Sequence, residues 1–317
     1  MSVRRVVSDA GALASPTPRY PWRRRAAPWV TPALLLLPTA AALLAISVYP
    51  ILNGLWLSFR DTSLIFPEDR FVGLQNYTTL LNDAQFWNAW KHTVQFTAAS
   101  TLLETVLGLA MALVLHEAFR GRGVVRAAML VPWAIPTVVT SKMFGWLFDG
   151  QNGLVNHALQ GLGLISENVG WYSSPDYALL TIIIADVWKT TPFMALLLLA
   201  GLQTIPGSLR EASFIDGANG WQHFWHVTMP MLLPTLLIAA LLRALDAFRI
   251  FDLVYVLTGG GPADATEVLS TLTYKQLFSA LQFGYGSTLA TAMFLTEALI
   301  ALGFGIFLID RMRRTAP

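Results

Sequence analysis

The sequence predicts an all-α integral membrane protein with six transmembrane helices. Only 13% of its 317 residues are charged and 55% are hydrophobic, whereas a soluble domain carries roughly 25% charged residues. Several apolar stretches also reach the length of about 18 residues that is needed to cross about 30 Å of hydrocarbon. The chain has no cysteine, which excludes structural disulfides and thiolate metal sites.

The first 29 residues are rich in Ala, Pro and Arg and include Arg23-Arg24-Arg25. The apolar run that follows is too long for the core of a secretory signal, so we expect residues 1–29 to form a cytoplasmic tail. A transmembrane domain is expected over residues 30–310, and a second cytoplasmic tail over residues 311–317. The six predicted spans lie at about 30–59, 91–117, 125–148, 177–203, 231–257 and 284–309.

The distribution of positive charge fixes the orientation of these spans. With the N-terminus in the cytoplasm, thirteen of the 21 Lys and Arg residues fall in cytoplasmic segments and four in outside segments. This asymmetry follows the positive-inside rule and places both termini in the cytoplasm. We therefore expect a multi-pass membrane protein.

A long polar segment, residues 204–230, separates the fourth and fifth spans on the cytoplasmic side and predicts a helix-turn-helix. Pro206-Gly207 ends the preceding helix, and Ser208-x-x-Glu211 fits a capping box for the first short helix. Gly217 suits a left-handed turn, which a residue with a Cβ resists. A second short helix is expected from about Asn219 to Val227, before Pro230 interrupts it.

The outside segments at 60–90, 149–176 and 258–283 contain many aromatic residues. Anchoring at the membrane interface is the expected role of most of these rings. Contact with an extracytoplasmic partner is the alternative for the 149–176 and 258–283 segments.

Enzyme and nucleotide-binding motifs are absent from the sequence. It contains no Gly-x-x-x-x-Gly-Lys-[Ser/Thr] loop, no His-Glu-x-x-His and no Gly-x-Ser-x-Gly. We expect no catalytic activity, no metal and no cofactor in this chain, and nothing in it indicates nucleic acid as a partner.

Nine ionisable residues lie within the predicted spans, where each is expected to pair or to face a polar cavity because a charge at the bilayer centre costs at least about 2.5–3.5 kcal/mol. They are Glu104, Lys142, Asp186, Lys189, Arg243, Asp246, Arg249, Asp252 and Glu297. Internal salt bridges that only hold helices together are one explanation of these charges. A hydrophilic pathway is the other. Glu104 and Glu297 are interpreted as structural partners outside such a pathway.

Two faces bring pathway candidates together. Asp186 and Lys189 are three residues apart on the fourth span and share a face, and Arg243, Asp246 and Arg249 repeat every three residues on the fifth. Lys189 and Asp246 are both about 16 Å deep, so they could meet near the midplane. The remaining candidates supply hydroxyl, aromatic and apolar groups at similar depth; they are Thr190, Phe193, Ala247 and Ile250. Hydroxyls, charged acceptors and an aromatic face together suit a sugar.

The polar segment carries a known signature. Glu211-Ala-Ser-x-x-Asp216-Gly217-Ala218, followed by Met229-Pro230 and Pro234, resembles the "EAA" signature of permease subunits in binding-protein-dependent ABC importers. Further segments are similar to carbohydrate importers of the maltose-permease type: Phe71-Val-Gly-Leu-Gln-Asn76-Tyr77, Leu130-Val-Pro132-Trp-Ala-Ile-Pro136, Trp188-Lys-Thr-Thr-Pro192-Phe193, Gly201-Leu-Gln203-x-Ile-Pro206 and Leu257-Thr-Gly-Gly-Gly-Pro262. The stretch Asp246–Asp252 looks most like subunits that serve trehalose, maltose or other α-glucosides.

This resemblance implies a type I ABC importer permease fold with a cytoplasmic coupling helix that docks on a separate ATPase subunit. The coupling residues would be Glu211, Ala212, Ser213, Asp216, Gly217 and Ala218. Sugar contacts would fall on Asp186, Lys189, Thr190, Phe193, Arg243, Ala247 and Ile250, to which the charge pattern adds Asp246 and Arg249. The implied partners are a second, homologous permease subunit, two ATPase subunits that bind ATP and magnesium, an extracytoplasmic sugar-binding protein and membrane lipid.

Two other kinds of protein fit part of the pattern. An ion- or proton-coupled secondary transporter would use the buried charges as a relay, but would need neither an ATPase nor a docking helix, and no convincing internal repeat is present. A membrane assembly subunit is the third possibility, and deletion would then leave sugar uptake intact.

Overall fold

The structure is a computed structural model that describes residues 30–65 and 69–315. The predicted N-terminal tail, residues 1–29, lies outside this part of the chain. The chain divides into a short unit that ends at Asn53 and a main unit that begins at Gly54.

The first helical run of the described chain consists of α1 (Val30–Leu43), a π-helical turn (Leu44–Val48) and α2 (Tyr49–Leu57). The π turn ends two residues before Pro50, whose ring clashes with the carbonyl four residues back in a regular α-helix. The wider turn lets the helix pass this proline, and the run is apolar and long enough to cross a membrane.

The main unit is mostly helical. Its helices are α3 (Gln75–Asn82), α4 (Ala84–His116), α5 (Arg122–Met129), α6 (Val131–Ala134), α7 (Thr137–Leu147), α8 (Leu154–Gly161), α9 (Pro175–Leu202), α10 (Gly207–Ile215), α11 (Gly220–His223), α12 (Met229–Phe248), α13 (Asp252–Leu257), α14 (Leu269–Tyr274) and α15 (Phe283–Thr315). Further π-helical turns cover Phe224–Thr228 and Lys275–Ser279. A two-stranded antiparallel ribbon joins β1 (Arg60–Asp61) to β2 (Arg70–Phe71).

The predicted membrane fold is confirmed. Among the described residues, five helices are long and apolar enough to cross a membrane, and a bent pair raises the number to six. The bent pair, Arg122–Ala134 and Thr137–Leu147, turns by 89°. Its break has a local cause, because Ile135 precedes Pro136 and adopts an extended conformation instead of a helical one.

The fourth and fifth predicted spans differ in how well their ends were placed. The fourth, α9, runs continuously through Pro192. The fifth is one helical run from Gly220 to Phe248. It ends nine residues before the predicted end at 257, and the separate α13 covers the last six of these residues. Pro230 does not interrupt this run, since it lies in the first turn of α12 and follows a π turn, where its missing N–H is tolerated.

The core of the main unit is formed by α4, α9 and α12. Two glycines allow these helices to approach closely. A Cβ on Gly108 of α4 would lie 2.7 Å from Cγ of Met194 in α9, and a Cβ on Gly201 of α9 would lie 2.7 Å from Cγ2 of Thr235 in α12. Small residues at such crossings increase the van der Waals contact that holds helices together in lipid.

The loops at the end of the bundle opposite residues 203–228 are held by one buried and one half-buried asparagine side chain. Asn156 donates to the carbonyls of Gly150 and Val169, and its own oxygen accepts from the indole N–H of Trp171 at 2.8 Å. Asn76 donates to the carbonyls of Ser58 and Arg60. Trp171 therefore stabilises its own loop through this hydrogen bond. Trp146, in contrast, is 81% exposed, as expected of an interfacial anchor.

Candidate functional site

Three carboxylates and one guanidinium form a charged cluster in the middle of the bundle. Glu104 lies on α4, Asp186 on α9, and Arg243 and Asp246 on α12. The first three are buried, with side-chain exposures of 0%, 6% and 4%, whereas the Asp246 side chain is 70% exposed. The cluster thus extends from the core of the bundle to its surface.

Arg243 is the centre of this charged cluster. Its Nε bonds Oε2 of Glu104, and its Nη2 bonds both Oε1 of Glu104, at 2.9 Å, and Oδ2 of Asp186. Its Nη1 bonds Oδ2 of Asp246 at 3.0 Å. The fixed directions of the guanidinium donors suit this arrangement, because they bind two oxygens of one carboxylate and still reach two further acceptors.

Apolar side chains lie on both sides of the charged cluster. Along α12, Ala239 belongs to one buried apolar cluster, and Ala247 belongs to another, with Arg243 midway between them. Along α9, Asp186 is likewise between Ile182 and Met194. The charges therefore occupy a polar layer within an apolar core, and their mutual bonds offset part of the cost of burying them.

Thr190 joins the charged cluster from α9. Its hydroxyl lies 2.5 Å from Oε1 of Glu104 and 2.7 Å from the carbonyl of Asp186, and its single hydrogen is shared between these two acceptors. The oxygen lone pairs of Thr190 stay available as acceptors. Together with the exposed carboxylate of Asp246, they offer hydrogen-bond acceptors to a ligand rich in hydroxyl groups.

Lys189 and Phe193 meet a different residue, Trp133 of α6. The ring of Phe193 stacks on that of Trp133, with centroids 5.3 Å apart and planes 10° from parallel. Lys189 donates from Nζ to the carbonyl of Trp133 at 3.3 Å. Lys189 and Asp246, which could meet by their depth, form no ion pair within the described chain, and Asp246 is bonded to Arg243 instead.

Arg249, Ala247 and Ile250 are separated from the charged cluster. Arg249 lies 3.3 Å from Glu297 of α15, at a point where α12 has already ended. Ala247 has no exposed surface, and Ile250 packs against the same apolar cluster. In this conformation Ala247 presents no surface to a ligand. Arg249 does not continue the face of Arg243 and Asp246, because α12 ends at Phe248.

The predicted helix-turn-helix is present and its turn is well defined. Gly217 has φ +85°, as predicted for a left-handed turn, and a Cβ there would meet nothing within 4 Å. The N–H of Ala218 bonds the carbonyl of Ser213, and that of Gly217 bonds the carbonyl of Phe214. This Schellman motif satisfies the last carbonyls of α10.

The predicted capping box of α10 is wrong. The helix begins at Gly207 with Pro206 as its N-cap, and no side chain caps it. Ser208 therefore lies inside the first turn. A capping box occurs instead at α11, where the backbone N–H of Gln222 donates to the side chain of Asn219 at 2.9 Å and the reciprocal bond is also 2.9 Å.

Two polar contacts tie α10 to its surroundings. Arg210 pairs with Glu117, beyond the end of α4, at 2.9 Å, and Ser213 bonds Nδ1 of His223 in α11 at 2.8 Å. The remaining signature residues stay at the surface. Glu211, Ala212 and Asp216 are exposed, and among the described residues the Glu211 carboxylate has no hydrogen bond or ion pair.

Sequence reasoning missed three residues that contact the predicted site residues. Glu104 and Glu297 were interpreted as structural partners without an assigned contact, and they pair with Arg243 and Arg249 respectively. Trp133 was also missed. It lies in the signature segment Leu130–Pro136, and the need of Phe193 for an aromatic stacking partner was the signal that could have identified it. The described residues contain no group of three or more His, Cys, Asp or Glu side chains that could hold a metal ion.

Comparison with known proteins shows the family. The family model described as "Binding-protein-dependent transport system inner membrane component" matches residues 104–314. The trehalose/maltose transport system permease protein MalF of Thermococcus litoralis is 42% identical over 277 residues, which cover 86% of this chain and 93% of that protein. The trehalose transport system permease protein SugA of Mycobacterium tuberculosis is 42% identical over 276 residues, 86% of each chain.

Other matches extend the range of substrates. The sulfoquinovosyl glycerol transport system permease protein SmoG of Agrobacterium fabrum is 39% identical over 263 residues, 82% of this chain and 84% of that protein. Among solved structures, a bacterial ABC transporter involved in the import of the acidic polysaccharide alginate matches with a TM-score of 0.75 at 24% identity. That match covers 91% of this chain and 96% of the transporter chain. This structural likeness shows that the fold is shared.

Proposed function

This chain belongs to the family of inner-membrane components of binding-protein-dependent transport systems, and from that membership we propose that it is one of two permease subunits of an ATP-driven sugar importer. A permease of this family is a membrane component and not an enzyme. The proposed cargo is an α-glucoside disaccharide such as trehalose or maltose, in keeping with the names of two relatives. The proposed location is the bacterial cytoplasmic membrane, with both termini in the cytoplasm.

The observation that carries this proposal is the continuity between the charged cluster and the helix-turn-helix. Asp186 and Thr190 lie on α9, which ends at Leu202, and Arg243 and Asp246 lie on the helical run that begins at Gly220. The signature segment therefore connects two of the three helices that carry the cluster. A force applied to α10 reaches both walls of the proposed path through these helices.

The proposed division of labour follows from the exposed groups. Glu211, Asp216 and the turn at Gly217 face outward and form the docking surface for an ATPase subunit, which binds ATP and magnesium. Asp246, Thr190 and the Trp133–Phe193 pair offer acceptors and an aromatic face to sugar hydroxyls and ring carbons. ATP-driven closure of the ATPase subunits would then alternate the path between outward- and inward-facing states, a rigid-body movement of the helices.

Reconstitution in liposomes tests the proposal. The chain is combined with its sibling permease subunit, two ATPase subunits and the extracytoplasmic binding protein, and the uptake of labelled trehalose is measured with and without ATP. The expected result is uptake that requires ATP and every partner. Uptake by this chain without an ATPase, driven by a proton gradient, would overturn the proposal in favour of a secondary transporter.

A further inference from the structure

Glu104 is a buried carboxylate to which the proposed transport function assigns no role. Its side chain has no exposed surface. Both of its oxygens are occupied by residues of the proposed sugar path. Oε1 accepts from Thr190 and Arg243, at 2.5 and 2.9 Å, and Oε2 accepts from Arg243.

Charge balance alone does not explain Glu104. Arg243 carries one positive charge and already has two other carboxylate partners, Asp186 and Asp246. A third carboxylate without solvent contact adds negative charge where burial is most costly. What Glu104 adds is orientation, because its two bonds to the planar guanidinium fix the plane of that group.

The orientation of the guanidinium determines which of its nitrogens is left to bind the exposed carboxylate of Asp246. With Nε and Nη2 held by buried carboxylates, Nη1 remains to hold Asp246, whose side chain is 70% exposed. Glu104 on α4 thereby holds the exposed carboxylate of Asp246 on α12 in place, through Arg243.

Glu104 also helps to set the direction of the Thr190 hydroxyl. The single hydrogen of Thr190 lies between Oε1 of Glu104 and the carbonyl of Asp186, so it points into the cluster and an oxygen lone pair is left to face away from it. Thr190 and Asp246 both then present acceptors, which match the hydroxyl donors of a sugar.

We propose that Glu104 is a positioning residue of the sugar path, acting through Arg243 and Thr190. This inference rests on the proposed transport function. The competing explanation is that Glu104 only ties α4 to α9 and α12. The two explanations differ in what a variant does to coupling, defined as the number of sugar molecules imported per ATP hydrolysed.

The test compares Glu104→Gln, Glu104→Asp and the unchanged chain in the reconstituted transporter, with trehalose as the probe. Glutamine keeps the shape of the side chain, but its NH2 group cannot accept from Arg243 or Thr190. We expect the coupling ratio to fall about tenfold, the size of effect that loss of one charged hydrogen bond produces, and Glu104→Asp to restore part of it. Glu267→Gln is the control, since Glu267 is also buried but pairs with Lys275 away from the cluster.

A purely structural tie predicts a different result. Fewer transporters would assemble, so uptake and ATP hydrolysis would fall in proportion and the coupling ratio would stay constant. A constant ratio in Glu104→Gln, or loss of assembly in both Glu104 variants, overturns the positioning role. Absence of ATP-dependent uptake in the unchanged chain would instead refute the transport function itself.

Discussion

Arg243 donates from Nη2 to Oε1 of Glu104 at 2.9 Å, which joins two buried residues that are 139 positions apart in the sequence. The same guanidinium bonds Asp186. One side chain therefore ties α4, α9 and α12 together at a single level of the bundle. These three helices form the core, so the charged cluster determines how they are held relative to one another.

The first prediction concerns the stability of this cluster. Arg243→Gln should lower the free energy of unfolding by about 3–5 kcal/mol, because it leaves Glu104 and Asp186 buried without a counter-charge. Thermal unfolding of the detergent-solubilised complex, followed by tryptophan fluorescence, measures the change. Arg249→Gln is the matched control, since the Arg249 side chain is 59% exposed and pairs with a single carboxylate. Equal effects of the two variants would contradict the central role of Arg243.

The second prediction concerns the turn between α10 and α11. Gly217→Ala should destabilise the turn by about 1–2 kcal/mol, because an alanine Cβ is strained in the left-handed region, and ATP-driven uptake should fall. Gly207→Ala is the control: this glycine also has open space around its Cβ position, but its φ is ordinary. Uptake and ATPase co-purification are measured for both. If Gly217→Ala behaves like Gly207→Ala, the turn geometry does not matter for coupling.

The third prediction separates the observed cap from the one expected from sequence. Asn219→Ala removes the bond from the backbone N–H of Gln222 to the Asn219 side chain. The loss should destabilise α11 by about 1 kcal/mol. Ser208→Ala should change stability little, because Ser208 caps no helix in the structure. Hydrogen exchange of residues 207–228 in the assembled transporter measures the local effect. Faster exchange in the Ser208 variant than in the Asn219 variant would contradict the structure, because it would mean that Ser208 caps α10.

The fourth prediction concerns the exposed end of the charged cluster. Asp246→Asn keeps the shape of the side chain but removes its charge, which weakens its bond to Arg243 and its capacity to accept from sugar hydroxyls. Uptake of trehalose should fall about tenfold, as expected for loss of one charge-assisted hydrogen bond. Asp176→Asn at the exposed start of α9 is the control. Unchanged uptake in Asp246→Asn would favour a purely structural salt bridge.

Local features of the chain were predictable from sequence because each depends on near neighbours. The apolar stretches specify membrane helices whatever their partners, and Gly217 specifies a left-handed turn through its own missing Cβ. The bend at Ile135 was not predicted, although its cause, the following Pro136, is local. Ends of elements were less predictable, as at α10, where the choice between Pro206 and Ser208 as N-cap differs by two residues.

The sequence by itself determined that seven of the nine charges predicted within spans lie in helices apolar enough to cross a membrane, counting the bent pair, all but Arg249 and Asp252. It also determined that a turn-forming signature segment separates two of those spans. Only the tertiary structure decided which charges meet. Depth along the helices matched Lys189 with Asp246, but helix rotation and crossing turn Lys189 towards Trp133 and bring Arg243 between Glu104 and Asp186. Spacing along one helix fixes a face and a depth. The partner of that face depends on how closely α4, α9 and α12 pack, and this packing is controlled by distant residues such as Gly108 and Gly201.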